Sequence, residues 1–91
     1  MLLKAPDDII SDGHKVKTNK TGNPGMTIGG TGDILAGIIA GLIAQKVDLF
    51  DSAYYGAYIN GKAGDLCFRE MGYGFITSDL LNMIPQVLKD L

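Results

Sequence analysis

Ninety-one residues, 46% of them hydrophobic, allow one small packed domain and argue against disorder. A formal net charge of −2, with no basic run and no basic–aromatic interleaving, argues against a nucleic-acid surface. The single cysteine, Cys67, excludes an intrachain disulfide and a multi-cysteine metal site, and between Leu66 and Phe68 it reads as a buried structural thiol.

Met1 is not followed by a basic region and a long apolar run, so no secretory leader is expected. Leu2 and Leu3 form a short apolar run that ends at Ala5-Pro6, and Ile9 and Ile10 open a second strand. Asp12-Gly13 is a hairpin signal, because both residues tolerate the positive φ of a tight turn. The return strand is expected over about 14 to 18, with His14 at the surface and Lys15 and Lys17 alternating with Val16 on an exposed face. Residues 19 to 32, "NKTGNPGMTIGGTG", have no periodicity and read as a long glycine-rich loop.

From Asp33 a helical period sets in. Ile34, Leu35, Ile38, Ile39, Leu42 and Ile43 form one stripe. Ala36, Gly37, Ala40, Gly41 and Ala44 form a face of small residues, against which another element is expected to pack closely. The apolar run is about half the length a bilayer span needs, so a buried helix of a soluble, cytoplasmic protein is expected, with no membrane partner. A second helix is expected over 51 to 71, capped by Asp51 or Ser52 and ended by Gly72, with a small-residue stripe at Ala53, Ala57, Gly61 and Gly64. Tyr54, Tyr55 and Tyr58 read as half-buried packing residues of that helix, and Asp65 as a cap or surface charge. A third helix is expected after Ser78, with Asp79 favouring its dipole and Pro85 kinking it.

The glycine loop carries the chemistry. A helix N-terminus presents unpaired N–H groups and a partial positive charge, and glycines let an anion approach them. "GGTGD" therefore reads as a phosphate cradle in which Gly29, Gly30, Thr31 and Gly32 turn their amides to a phosphate. It is not a Walker loop, which needs Lys-Ser or Lys-Thr after its last glycine, and no strand directly precedes it as in a dinucleotide fingerprint. The alternative is a plain glycine-rich turn in which Asp33 only favours the helix dipole. A carboxylate beside a phosphate site has a use if it accepts a proton from a hydroxyl that attacks a phosphoryl group.

The stretch "NKTGNPGMTIGGTGDILAGIIAGLIAQ" resembles the nucleotide-binding segment of the ADP/ATP-dependent NAD(P)H-hydrate dehydratases, relatives of ribokinase that repair hydrated nicotinamide cofactors. "LLKAPDDIISDG" is similar to the strand and nucleotide-contacting segment before that loop, and "AYINGKAGDL" and "ITSDLLNMIPQVL" to the family's two closing helices. The resemblance implies nucleotide contacts at Lys4, Ala5, Pro6, Asp7 and Asp8, although Ala5-Pro6 stands where a glycine commonly follows the lysine. It implies a second set at Asn23, Pro24, Gly25, Met26, Thr27, Ile28, Gly29, Gly30, Thr31 and Gly32. Asp33 matches the residue that contacts the hydrated cofactor and acts as base.

The implied reaction phosphorylates the ring hydroxyl of hydrated NADH or NADPH with ADP or ATP, accompanied by magnesium, and then eliminates phosphate. The implied fold is α/β: the C-terminal fragment of a ribokinase-like three-layer domain, spanning 1–91, with a hairpin or short strands followed by three helices. Family domains are about three times longer, so this chain is expected to be a fragment that associates into a homo-oligomer or with the absent part. Two other functions fit the same residues: a small-molecule kinase of the ribokinase superfamily, and a non-catalytic nucleotide-binding or oligomerisation module.

Overall fold

A computed structural model describes residues 2–3, 8–23, 26 and 30–89. Strands β1 (Leu2–Leu3), β2 (Asp8–Ser11) and β3 (Val16–Asn19) form an antiparallel sheet in that order. Helices α1 (Thr31–Ala44), α2 (Leu49–Met71) and α3 (Thr77–Lys89) follow, with a short 3-10 turn at Gly72–Gly74 between the last two. This is the expected α/β order of short strands and three helices.

β2 and β3 pair from Asp8↔Asn19 to Ser11↔Val16, so the return strand starts two residues later than expected. The cause is Asp12. Its Oδ1 accepts the backbone N–H of His14 at 2.8 Å and of Lys15 at 2.6 Å, which draws residues 12–15 into a wider turn. Those bonds hold the Asp12 carboxyl below its ordinary value.

The helix starts also move. α1 begins at Thr31, which places Asp33 inside the first turn. α2 is capped by Asp48, not Asp51 or Ser52: Asp48 Oδ1 accepts the Asp51 N–H at 2.9 Å. Asp51 lies three residues after Asp48, the spacing of a capping box, and that was the signal in the sequence. Ser52 is buried instead, and its hydroxyl donates to the Val47 carbonyl at 3.1 Å. α3 starts at Thr77, before Ser78, and Asp79 Oδ2 accepts the Ile76 N–H at 2.9 Å across its N-terminus. Pro85 lies inside α3, which continues past it to Lys89. Gly72 ends α2 as expected.

α2 is the central element. Ile59, Ala63 and Cys67 form one core with Phe75, Leu80 and Val87. Phe50 and Ala57 form a second with Ile10 of the hairpin and Leu35 of α1. Burial and the Asp79 charge push the Cys67 thiol up, in keeping with a structural cysteine. Tyr54 and Tyr58 are half-buried, and Tyr54 meets Tyr55 edge to face at 5.3 Å.

The small-residue faces behave differently on the two helices. On α2 the stripe is covered: Ala57, Gly61 and Gly64 are buried, with Thr21 over Gly61 and Met26 over Gly64, and the neighbouring Gly56 receives the Ile39 side chain of α1. On α1 the expected close packing is absent. Ala36, Gly37, Ala40 and Gly41 are exposed, and a Cβ built on Gly37 or Gly41 would meet no atom within 4 Å. The close approach between α1 and α2 is made by large side chains of α1 against a glycine of α2. That turns the small residues of α1 outward. No helix among the described residues is long and apolar enough to cross a membrane.

Candidate functional site

The mouth of α1 is built by a residue that has no side chain. Gly30 is its N-cap at φ +93°, ψ −12°, a left-handed conformation that favours glycine, and it supplies no side-chain cap. Helical bonding begins with the Ile34 N–H to the Gly30 carbonyl at 3.1 Å. The N–H groups of Gly32 and Asp33 therefore have no intrahelical acceptor. Gly30, Gly32 and Asp33 are exposed, and a Cβ on Gly32 would meet nothing within 4 Å. Gly30 instead backs onto Thr77, the first residue of α3, so two helix N-termini meet at this point. Asp33 lines a cleft of about 420 Å³ between α1 and α3, whose other walls are Ile34, Gly37, Ile38, Leu81 and Ile84. A larger open cavity of about 890 Å³ lies between the hairpin tip and the start of α2, and includes neither Gly30 nor Asp33.

The loop that leads to this mouth lies directly on α2. Asp8 and Asn19 are buried, and Asn19 Nδ2 donates to Asp8 Oδ2 at 3.1 Å. The single hydroxyl hydrogen of Thr21 is shared between Asn19 Oδ1 at 2.9 Å and the Tyr58 carbonyl at 3.3 Å. The Gly22 N–H donates to Asp65 Oδ2, and Asn23 Nδ2 to Asp65 Oδ1, each at 3.2 Å. Asn23 Nδ2 also donates to the Gly64 carbonyl at 2.9 Å. The Met26 N–H closes a turn onto the Asn23 carbonyl at 3.1 Å, and Thr31 Oγ1 donates to the Met26 carbonyl at 3.0 Å. Gly61 and Gly64 make room for this: a Cβ there would collide with Thr21 and with the Met26 side chain.

Among the nucleotide-contacting residues expected from the sequence, Asn23 bonds to Met26 and Met26 to Thr31, Gly30 caps α1, and Gly32 and Asp33 lie in its first turn. The Asp8 side chain points into the fold toward Asn19. Lys4, Ala5, Pro6, Asp7, Pro24, Gly25, Thr27, Ile28 and Gly29 lie outside the described residues. Asp65 is neither a cap nor a plain surface charge; it is half-buried and holds the loop. Asn60, one helical turn from both Gly56 and Gly64, is buried, and its Oδ1 has no hydrogen-bond partner among the described residues. The role of Asp65 could not be read from spacing, because it depends on where a non-periodic loop comes to rest.

The described residues thus form an α/β arrangement with a glycine-capped, solvent-facing helix mouth and a carboxylate in its first turn. The family model of the NAD(P)H-hydrate dehydratases matches residues 1–86, and the chain belongs to that family. It is 49% identical over 88 residues to the bifunctional NAD(P)H-hydrate repair enzyme Nnr of Archaeoglobus fulgidus, covering 97% of this chain and 19% of the relative. It is 45% identical over 89 residues to the ADP-dependent (S)-NAD(P)H-hydrate dehydratase of Cenarchaeum symbiosum, covering 98% of this chain and 31% of that one. The crystal structure of a hypothetical protein from Streptococcus mutans superposes with a TM-score of 0.84 at 29% identity, over 98% of this chain and 32% of that one. The chain thus spans under a third of the length of each of these relatives.

Proposed function

We propose that this chain supplies the ADP-binding helix mouth and the catalytic base of an NAD(P)H-hydrate dehydratase. The observation that carries the reading is the glycine-capped first turn of α1, with Gly32 and Asp33 exposed and Asp33 beside the α1–α3 cleft, in a chain 45% identical to an ADP-dependent dehydratase. The amides after Gly30 stabilise charge that develops on the transferred phosphoryl group. Asp33 takes the proton of the ring hydroxyl of hydrated NADH or NADPH as that oxygen attacks phosphorus. The new oxygen–phosphorus bond replaces the bond to the nucleotide, and AMP leaves; phosphate then departs from the ring carbon, and loss of a proton from the adjacent ring carbon to solvent restores the double bond.

No group of three or more His, Cys, Asp or Glu residues suited to a metal ion occurs among the described residues. Magnesium in this reading arrives with the nucleotide's phosphates. Turnover belongs to the complete domain, and nucleotide binding to this stretch. The open face of α1 supports association, either with the rest of such a domain or with further copies, in the cytoplasm where reduced nicotinamide cofactors are used.

The test is NADH formation from hydrated NADH and ADP by a complete domain carrying this sequence, with and without Asp33→Asn. The variant should bind ADP and lose turnover. Turnover within about tenfold of wild type, equivalent to about 1.4 kcal/mol of barrier, would remove Asp33 from the role of base.

A further inference from the structure

We propose that Asp65 is a positioning residue for the helix-mouth loop. Its carboxylate fixes residues 22 and 23 on α2, and so sets where Asn23, and Met26 bonded to it, stand beside the start of α1. The consequence for ligand binding rests on the nucleotide reading above; the clamp itself rests on geometry alone.

The donor and acceptor pattern singles out this residue type. Asp65 Oδ2 accepts the Gly22 N–H and Oδ1 accepts Asn23 Nδ2, each at 3.2 Å. Position 65 must therefore offer two acceptors. A carboxylate does so, whereas an amide of the same size would turn an NH₂ group against one of those donors. The second hydrogen of Asn23 Nδ2 goes to the Gly64 carbonyl at 2.9 Å, so that side-chain amide is held from both sides of one helical turn. From Asn23 the path to the helix mouth is short. The Asn23 carbonyl accepts the Met26 N–H, and the Met26 carbonyl accepts the hydroxyl of Thr31, the first residue of α1. Underneath, Gly61 and Gly64 leave no room for a side chain between loop and helix. A solvated helix-surface carboxylate would show none of these bonds, and aspartate in a helix interior is otherwise a poor helix former.

The experiment compares Asp65→Ala, Asp65→Asn and the exchanged pair Asn23→Asp with Asp65→Asn. In the exchanged pair the new amide at 65 donates to the new carboxylate at 23 while its oxygen accepts from Gly22; the bond to the Gly64 carbonyl is given up, but the Gly22 contact that the exchange rate reads is kept. Two readouts are taken on the 91-residue chain: hydrogen exchange of the Gly22 amide by NMR, and ADP affinity by calorimetry. Each single variant should speed Gly22 exchange and weaken ADP binding by about tenfold, as expected for loss of a hydrogen bond to a charged group. Exchange of the Val87 amide in α3, remote in sequence from the loop, should stay unchanged, which separates local release from general unfolding. The exchanged pair should restore slow Gly22 exchange.

Unaltered Gly22 exchange in Asp65→Ala would overturn the proposal. So would an exchanged pair no slower than Asp65→Asn alone. A wild-type chain that binds no ADP would remove the nucleotide reading instead, with the Gly22 rates still deciding the clamp.

Discussion

Two glycine-to-alanine substitutions in helices of this chain should have opposite signs. In an exposed helix interior the change stabilises by about 1 kcal/mol, because glycine loses more backbone freedom on folding. Gly41 meets that condition, since an added Cβ finds nothing within 4 Å. Gly61 does not. Its Cβ would lie 2.7 Å from both the backbone carbon and the Cβ of Thr21. A backbone atom cannot rotate away, so the loop must lift from α2. Overpacking of this kind costs about 1–3 kcal/mol. Lifting also breaks the bond from Thr21 Oγ1 to the Tyr58 carbonyl, at about 0.5–1.5 kcal/mol. After the helix-propensity gain, Gly61→Ala should destabilise by about 0.5–3.5 kcal/mol, while Gly41→Ala stabilises by about 1.

Urea unfolding followed by circular dichroism reads both. For a domain of this size each kcal/mol also moves the melting temperature by about 4–8 °C. A Gly61→Ala variant as stable as wild type would mean that the loop does not rest on α2. A destabilised Gly41→Ala would mean that the α1 face is covered in solution.

Asn60→Leu, which removes a buried acceptor that has no partner, should raise stability by about 1–3 kcal/mol; a loss of stability would show that the amide is engaged. Asp12 and Asp48 are both held below their ordinary carboxyl values by backbone N–H bonds, from Lys15 and His14 in one case and Asp51 in the other. Their lowered folded values mean that their stabilisation is present above the unfolded value of about 4 and is lost as pH falls through the lowered ones. The urea midpoint should therefore drop on acidification from about pH 5, and Asp12→Asn combined with Asp48→Asn should flatten that drop. An equally steep profile in the double variant would assign the acid sensitivity elsewhere.

The helices were legible because their stripes are long and regular. Ile34, Leu35, Ile38 and Ile39 face the core as their spacing requires, and Gly72 stops α2. Helix starts were less legible, because they depend on local bonds rather than periods. Asp48 competes with Asp51 and Ser52 for one cap, and only the fold buries Ser52. The α1 glycines looked like a packing face. Composition says that a face can accept a close neighbour, not that one is present, and Gly37 and Gly41 stand open. At the site, Gly30 and Asp33 were visible as a motif. Asp65 was not, since what distinguishes it is a loop that crosses α2 from about forty residues away in sequence.

The central claim is that the α1 mouth receives the phosphates of ADP. Gly32→Val tests it most directly: the added side chain enters open space in the structure, so it fills the approach to the helix mouth without disturbing packing. Calorimetric titration with ADP and magnesium should show binding by wild type and by Asp33→Asn, and none by Gly32→Val. Equal binding by wild type and Gly32→Val would contradict the account and place the nucleotide elsewhere.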